Sequence, residues 1–435
     1  MKAKTFVWIA MTLVAVRLVL MAVIPVFEPS EARYAAISAN MARSGDFVVP
    51  HFTHNLEYQS FDGKPPLVFQ VGGLFCKVFG VCEFAVRLFP FLSALLVLAI
   101  LYHAVKRESD AETGRLAVLV CATSTAFYAA AGISMTDMTL ACCVAGALLL
   151  YRCFQDTYAC RYAAGVAVLL GAGMIVNGPV SLVMFGLPVL LDAIVNKRWK
   201  SVFYVRWLWV APVFFAVAVP WFVLVEQRNP GSVWYFFYNE NFMRFISHDY
   251  GDKYGAGREA FRGVSVLWAF VATLPWSLLP LYSLLKHCQT VKLSNLQTVK
   301  LHISQTLKPF FSLSLLAIVG FWCLTSRVLL YYLFPVIPLF AAWLVLHYGR
   351  ERLARLVPWC AVLTMTIASG AFVGGMFFSD KMAGAATELS YKQNHYAYEF
   401  YHGRIPEAQL QELRARRNAW QELRKARRAK EAKGK

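Results

Sequence analysis

Three short clusters behind the first hydrophobic run carry residue types able to do chemistry: Glu28-Pro-Ser-Glu-Ala-Arg-Tyr34, a Ser44-Gly-Asp-Phe turn, and Phe61-Asp-Gly-Lys-Pro-Pro66. Carboxylates that can take a proton stand beside cations that can hold an anionic group. Ionisable residues packed this densely at a membrane surface mark a site rather than a linker. Lys64 precedes Pro65-Pro66, so its backbone is extended and its ammonium is held at a fixed place over the membrane surface. Asp62, two residues away, is able to ligate a divalent cation, position Lys64 or shape the turn with Gly63.

Further polar residues stand at the ends of apolar runs. Asp137 follows a run of small residues and precedes a helix, at a level where an unpaired charge costs about 3 kcal/mol, so it requires a partner. Arg244, within Glu240-Asn241-Phe-Met-Arg-Phe, and Arg327 each offer a planar fork for two phosphate oxygens. Tyr331 and Tyr332 also suit an interfacial aromatic belt.

The elements that position these residues follow from composition. Of 435 residues, 58% are hydrophobic and 16% charged, with 33 Phe and 12 Trp. Mean hydropathy is +0.49, too apolar for a soluble domain of this length. The sequence predicts an all-α polytopic membrane protein. About eleven stretches are long enough, or nearly so, to cross a bilayer: 5–27, 84–105, 115–135, 138–152, 161–176, 179–195, 204–225, 262–285, 309–325, 331–347 and 357–378. The first run ends without an Ala-x-Ala-like cleavage site and reads as a retained helix. Residues 66–80 are apolar but short, and read as an interfacial or re-entrant helix.

With Lys2 and Lys4 inside, alternate loops (Lys106-Arg107, Arg152 to Arg161, Lys197 to Lys200, Lys286 to Lys308, Arg350 to Arg355) fall on the cytoplasmic side and carry the positive charge. Residues 28–83, the turn before Asp137, Asn177-Gly-Pro179, residues 226–260 and the Arg327 turn then share the outer face. The net charge of +18 is spread through these hydrophilic islands, which points to anionic membrane lipids and phosphates and away from nucleic acid. Ten Cys stand mostly inside apolar runs without CxxC or zinc spacing, and read as small buried hydrophobes. Residues 379–435 differ in character from 1–378. From Pro406, Leu410, Leu413, Trp420 and Leu423 recur at helical spacing among many Arg, a basic amphipathic helix. An odd number of spans puts this tail outside, against the positive-inside trend, so either one span is miscounted or the tail binds anionic lipid there.

Taken in order, the motifs form a recognisable set. Pro29-Ser-Glu-Ala-Arg-Tyr, Ser44-Gly-Asp-Phe, Phe61-Asp-Gly-Lys-Pro-Pro, Glu83-Phe-Ala-Val-Arg-Leu-Phe-Pro90, Thr136-Asp-Met-Thr-Leu140, Asn177-Gly-Pro, Arg228-Asn-Pro-Gly231, Glu240 to Phe245 and Tyr331-Tyr-Leu-Phe-Pro335 succeed one another. Over roughly residues 5–345 this order resembles the GT-C glycosyltransferases of the dolichyl-phosphate-mannose protein mannosyltransferase type, especially the bacterial branch with the lipid A aminoarabinose transferase.

The resemblance implies a GT-C-like bundle with amphipathic helices in the first outer loop. The implied activity is inverting transfer of a sugar from a polyprenyl-phosphate donor to a lipid A, lipopolysaccharide, glycolipid or protein acceptor at the periplasmic face of a bacterial inner membrane. It implies Glu31 as the base, with Glu28 second, and Asp137 beside the catalytic cavity, facing Glu31, Arg33 or substrate. It places Lys64 against the donor phosphate. Arg33 and Tyr34 contact phosphate or sugar, or tie Glu31 into an ion pair, while Asp62, Glu240, Asn241, Arg244, Arg327 and Tyr332 complete the substrate site.

The sequence departs from the family at two places. Ser30 stands where the family has Asp, and Asn241 where it has His, which lowers the expectation of a tightly bound metal but leaves a divalent cation open. Pro29-Ser30 also resembles a helix start, so capping of the first outer helix is a second role for Glu31. A transporter or lipid-linked sugar flippase without transferase chemistry is the alternative. It predicts charges near the midplane and broken helices, whereas here the charges gather at one face. A lipid-binding scaffold is a third reading.

Overall fold

The computed structural model describes residues 3–246, 253–254, 259–290, 309–377, 389 and 395–433. Most of the 286–308 loop and of 378–394 lies outside these. The described chain is helical except for one hairpin. Among the described residues, six helices are long and apolar enough to cross a membrane: α1 (Ala3–Val23), α4 (Glu83–Glu108), α7 (Thr136–Thr157), α8 (Cys160–Asn177), and helices Arg206–Arg228 and Arg350–Ala371. Shorter apolar helices, among them α9 (Val180–Asn196), Phe310–Cys323 and Val336–His347, fill the space between.

Two expected spans are broken. The stretch 115–135 divides into α5 (Ala111–Ala122) and α6 (Thr125–Ala130). At the break, Thr123 and Ser124 turn their hydroxyls back on the carbonyls of Leu119 and Val120, and Thr123 also receives the Trp276 indole N–H and presents its carbonyl to Thr364. The stretch 262–285 divides into Val264–Ala272 and Leu278–Thr290 around Pro275 and the buried Trp276.

The first loop is a compact unit. Helix α2 (Ser30–Ser44) stops at Gly45, whose φ of +76° suits glycine and whose N–H closes on Met41. Its Ala32, Ala35, Ala36 and Ala39 are fully buried, and α3 (Leu67–Phe79) packs against it. A Cβ on Gly73 of α3 would sit 2.9 Å from the Ser38 carbonyl, so this approach needs glycine. Between them β1 (His51–His54) and β2 (Glu57–Ser60) pair antiparallel, His51 opposite Ser60 and Phe52 opposite Gln59.

The C-terminal segment is part of this unit. Helix Tyr396–His402 lies on α2 and β1. There the buried Glu399 carboxylate accepts from Asn40 (2.8 Å) and from the Thr53 N–H (2.8 Å), while Arg43 donates to the carbonyls of Glu399 and Phe400. In helix Glu407–Lys433, Leu410 and Leu413 bury against Leu56 and Ile405, and Arg414 donates to the Leu56 carbonyl. Trp420 and Leu423 stay exposed. The basic helix therefore sits at the first-loop end of the bundle.

Loops expected on one side do meet. At the first-loop end the Trp221 indole donates to Val48 and Asn229 to Asp62. At the other end Arg350 pairs with Asp110 and Glu112, and Arg152 with Glu108.

Candidate active site

A cavity of about 390 Å³ opens at the first-loop end. Its polar lining is Lys64, Asn177, Glu240, Asn241, Arg244, Arg327 and Tyr332, and its apolar wall includes Val180, Phe237, Phe321 and Trp322. Three cations and one carboxylate, brought from three separate segments, thus share one space.

Lys64 is positioned by the chain on both sides of it. Pro65-Pro66 leads directly into α3, and upstream Asp62 is tied down by Asn229 (3.0 Å), Ser232 (3.1 Å) and Lys253 (3.0 Å). Asp62 faces these partners and does not line the cavity, so it acts by positioning the Lys64 segment. The Lys64 ammonium donates to the Asn177 side chain. Burial, and next the Arg244 guanidinium, bring its pKa down to about 8, with Asp137 and Glu240 acting the other way.

Asn177 ends α8, and Gly178 turns the chain with φ +77°. A Cβ there would stand 2.5 Å from the Phe236 ring. Glycine is thus what lets the 235–243 segment close over the Asn177 turn. That segment is a π-helix, Tyr235–Met243, a rare geometry often found at functional sites. It sets Glu240 to accept from Tyr235 (3.1 Å) and from Arg244 (2.8 Å), and Arg244 also reaches the Tyr332 hydroxyl at 3.4 Å. Asn241 donates to the Phe236 carbonyl. Arg327 is buried and pairs with Glu259 at 3.1 Å. The Tyr332 ring packs on Trp322 at 4.9 Å.

Asp137 is buried in the first turn of α7. Its neighbouring charge is Lys64, where Glu31, Arg33 or substrate was expected. The phenols of Tyr34, Tyr331 and Tyr332 stand around the same carboxylate. Tyr34 lies in α2 between Phe61 and Phe69, and burial pushes its phenol up to about 12.

Glu31 stands elsewhere. It is buried outside the cavity lining, and Arg87 of α4 grips it with Nε on Oε1 (2.7 Å) and Nη2 on Oε2 (2.9 Å). The N–H groups of Phe27 (2.9 Å) and Ser134 (3.0 Å) complete its shell. It joins the end of α1, α2, α4 and the 131–135 turn. Neither Arg33 nor Tyr34 ties it down: the Arg33 guanidinium lies over the rings of Tyr34 and Tyr396. Glu28 accepts from the Ala397 N–H at 2.7 Å, and burial pushes its pKa up to about 7.

Sequence reasoning missed Arg87, Asn177 as a partner of Lys64, and Glu259. Only Arg87 gave a signal: an arginine four residues into a long apolar helix demands an anionic partner. Among the described residues no three His, Cys, Asp or Glu side chains come together to hold a metal ion.

Comparison with known proteins gives a consistent picture. A family profile described as dolichyl-phosphate-mannose-protein mannosyltransferase matches residues 63–224. The chain is 29% identical over 264 residues to the undecaprenyl phosphate-alpha-4-amino-4-deoxy-L-arabinose arabinosyl transferase of Edwardsiella ictaluri, covering 60% of this chain and 45% of that one. It is 30% identical over 272 residues to the protein of the same name from Serratia proteamaculans, covering 60% and 46%. The chain thus spans less than half the length of these relatives. ArnT from Cupriavidus metallidurans bound to undecaprenyl phosphate superposes with a TM-score of 0.66 at 20% identity, over 92% of this chain and 70% of that one. Its apo state gives 0.64 at 21%, over 94% and 71%. The resemblance drawn from the ordered motifs is borne out, and the fold is that of these membrane proteins.

Proposed function

We propose that the chain is a membrane glycosyltransferase that moves a sugar from a polyprenyl-phosphate donor to a hydroxyl or phosphate acceptor. The observation that carries this reading is the convergence of Lys64, Arg244 and Arg327 on one cavity, with the Asp137 carboxylate beside Lys64. Cations of this kind suit a lipid-linked phosphate leaving group, and a buried carboxylate with Lys64 as its neighbouring charge suits proton removal from an acceptor.

In this mechanism Asp137 takes the acceptor proton as the acceptor oxygen forms a bond to the anomeric carbon. The bond from that carbon to the lipid phosphate oxygen breaks, the configuration inverts, and Lys64 with Arg244 and Arg327 stabilises the departing phosphate. Arg244 is aligned for this by Glu240 and Tyr332. Glu31, held by Arg87, positions α2 so that Tyr34 faces the same cluster. The apolar wall of Phe237, Phe321 and Trp322 would seat the first isoprenoid units.

The names of the relatives make undecaprenyl phosphate 4-amino-4-deoxy-L-arabinose the first donor to try, with lipid A, lipopolysaccharide core, other glycolipids and protein hydroxyls as acceptors. The periplasmic face of a bacterial inner membrane is the proposed location, and the exposed face of the C-terminal helix the proposed contact with anionic lipid. Of the two features expected of a transporter, broken spans are present at Thr123 and Pro275, whereas the polar groups of the cavity gather at one end, and it is this placement that supports transfer over translocation. The test is incubation of the purified full chain with labelled undecaprenyl-phosphate sugars and envelope acceptors. Sugar recovered on an acceptor supports the reading; movement of lipid across vesicles without transfer rejects it.

A further inference from the structure

A second pocket, of about 630 Å³, opens beside the hairpin and shares no residue with the cationic cavity. Its polar lining includes Asp46, His51, Tyr58, Gln59, Ser60 and the Arg228-Asn229 pair. The volume falls in the roughly 300–1,000 Å³ range of small-molecule sites. We propose that it is a saccharide subsite that holds a sugar ring of the acceptor; this rests on the transferase reading above.

Charge argues against phosphate. The Arg228 guanidinium is paired with the Asp46 carboxylate at 3.3 Å, so the lining of this pocket carries one cation and one carboxylate, whereas that of the first cavity carries three cations and one carboxylate. Composition argues against an acyl chain, since Val49 is the apolar contribution to a lining of amides, imidazole, phenol, hydroxyl and ions.

What remains is a set of groups that both give and accept hydrogen bonds. The Gln59 amide offers donor and acceptor together, and sugar hydroxyls are themselves both. Asn229 spends its amide nitrogen on Ser60 (3.1 Å) and Asp62 (3.0 Å), which leaves its carbonyl as an acceptor. The Tyr58 phenol is raised by burial, then by Glu399, and stays a neutral hydroxyl. Its ring is fixed by stacking on His51 (5.6 Å between centroids, 11° between planes) and by Arg404 at 4.2 Å. The subsite is thereby pre-organised by the hairpin and the docked C-terminal segment.

Position argues for the acceptor. Ser60 and Asn229 line this pocket, Asp62 lies behind them, and Lys64 two residues further on lines the cationic cavity. A sugar held here sits at the far side of the segment that carries the donor-phosphate cation.

The test uses the full chain in a detergent without sugar groups and a dephosphorylated, deacylated glucosamine disaccharide as probe. Saturation-transfer NMR should show binding to the wild type. Gln59→Ala and His51→Ala should each weaken it by about tenfold, with binding of undecaprenyl phosphate unchanged as the sign that the fold is intact. No saturation transfer to the wild type, or equal transfer to both variants, overturns the subsite. Binding with this pattern but without sugar transfer in the activity assay upholds the subsite and rejects the transferase reading instead.

Discussion

Arg87 straddles the carboxylate of Glu31, Nε on one oxygen at 2.7 Å and Nη2 on the other at 2.9 Å, and both residues are buried. The pair joins α2 to α4 through residues 56 apart in the chain. Arg87 also donates to the carbonyls of Met21 and Pro25 at the end of α1, so a single guanidinium closes the first loop against two spans. Removing one member of a buried pair strands the other charge, at about 3–5 kcal/mol. Arg87→Ala should therefore sharply lower the thermal midpoint of the detergent-solubilised protein. The Glu31→Ala, Arg87→Ala double variant should lose less than the sum of the single losses. Additive losses would show that the two do not act as a pair.

The docked C-terminal segment makes a similar prediction at another place. Glu399→Ala strands the Thr53 N–H and leaves the Asn40 amide with the His51 carbonyl alone. Each stranded buried donor costs about 1–3 kcal/mol. The variant should release the segment after residue 394 and expose the hairpin, read as faster proteolysis within residues 45–60. Unchanged cleavage would mean the hairpin stands without this brace.

These two contacts show where the sequence stops being informative. Charge parity and ordered motifs were enough to bring Lys64, Asp137, Arg244, Arg327 and Tyr332 to one end of the bundle, because each depends on a local signal: a Pro-Pro, a charge at a span end, an aromatic turn. The partner of Glu31 is set by how α2 crosses α4, and no spacing encodes that. The hairpin escaped notice because four-residue strands carry too short an alternation to read. The breaks at Thr123 and Pro275 lie inside runs that hydropathy alone joins into single spans.

Donor binding tests the cations. Lys64→Ala and Arg244→Ala each remove a charge-assisted contact worth about 1.5–3 kcal/mol, or roughly one to two decades in affinity for undecaprenyl phosphate. Arg244→Ala should show the larger fall of the two in maximal rate, because it also frees Glu240 as an unpaired carboxylate facing the leaving phosphate. Wild-type donor affinity in both variants would remove these residues from the site.

The pH dependence of that binding follows from Lys64. Its pKa lies near 8, below the usual lysine value, and it is the protonated form that attracts phosphate. Affinity for undecaprenyl phosphate should decline as pH rises from about 7 through 8 and beyond. Lys64→Arg, with a guanidinium that stays charged, should abolish this decline even if it binds less tightly. A titration curve that is the same in the wild type and in Lys64→Arg would assign the pH effect to another group.

The base is tested by separating proton transfer from architecture. Asp137 is buried with Lys64 as its neighbouring charge and spends no side-chain oxygen on an arginine, whereas both oxygens of Glu31 are spent on Arg87 and two backbone N–H groups. Asp137→Asn keeps the shape and removes the carboxylate, so turnover should drop by about 10²–10⁴ while undecaprenyl phosphate still binds. Glu31→Gln keeps an oxygen for one of the N–H groups but turns an amide nitrogen toward Arg87, so its loss should appear mainly as less folded protein, with near-normal turnover per folded molecule. Glu28→Gln, three residues upstream, keeps an oxygen for the Ala397 N–H while removing the carboxylate, and serves as the local control. If Asp137→Asn turns over normally and folded Glu31→Gln is inactive, the proton passes to Glu31, and the grip of Arg87 must open when donor and acceptor are bound.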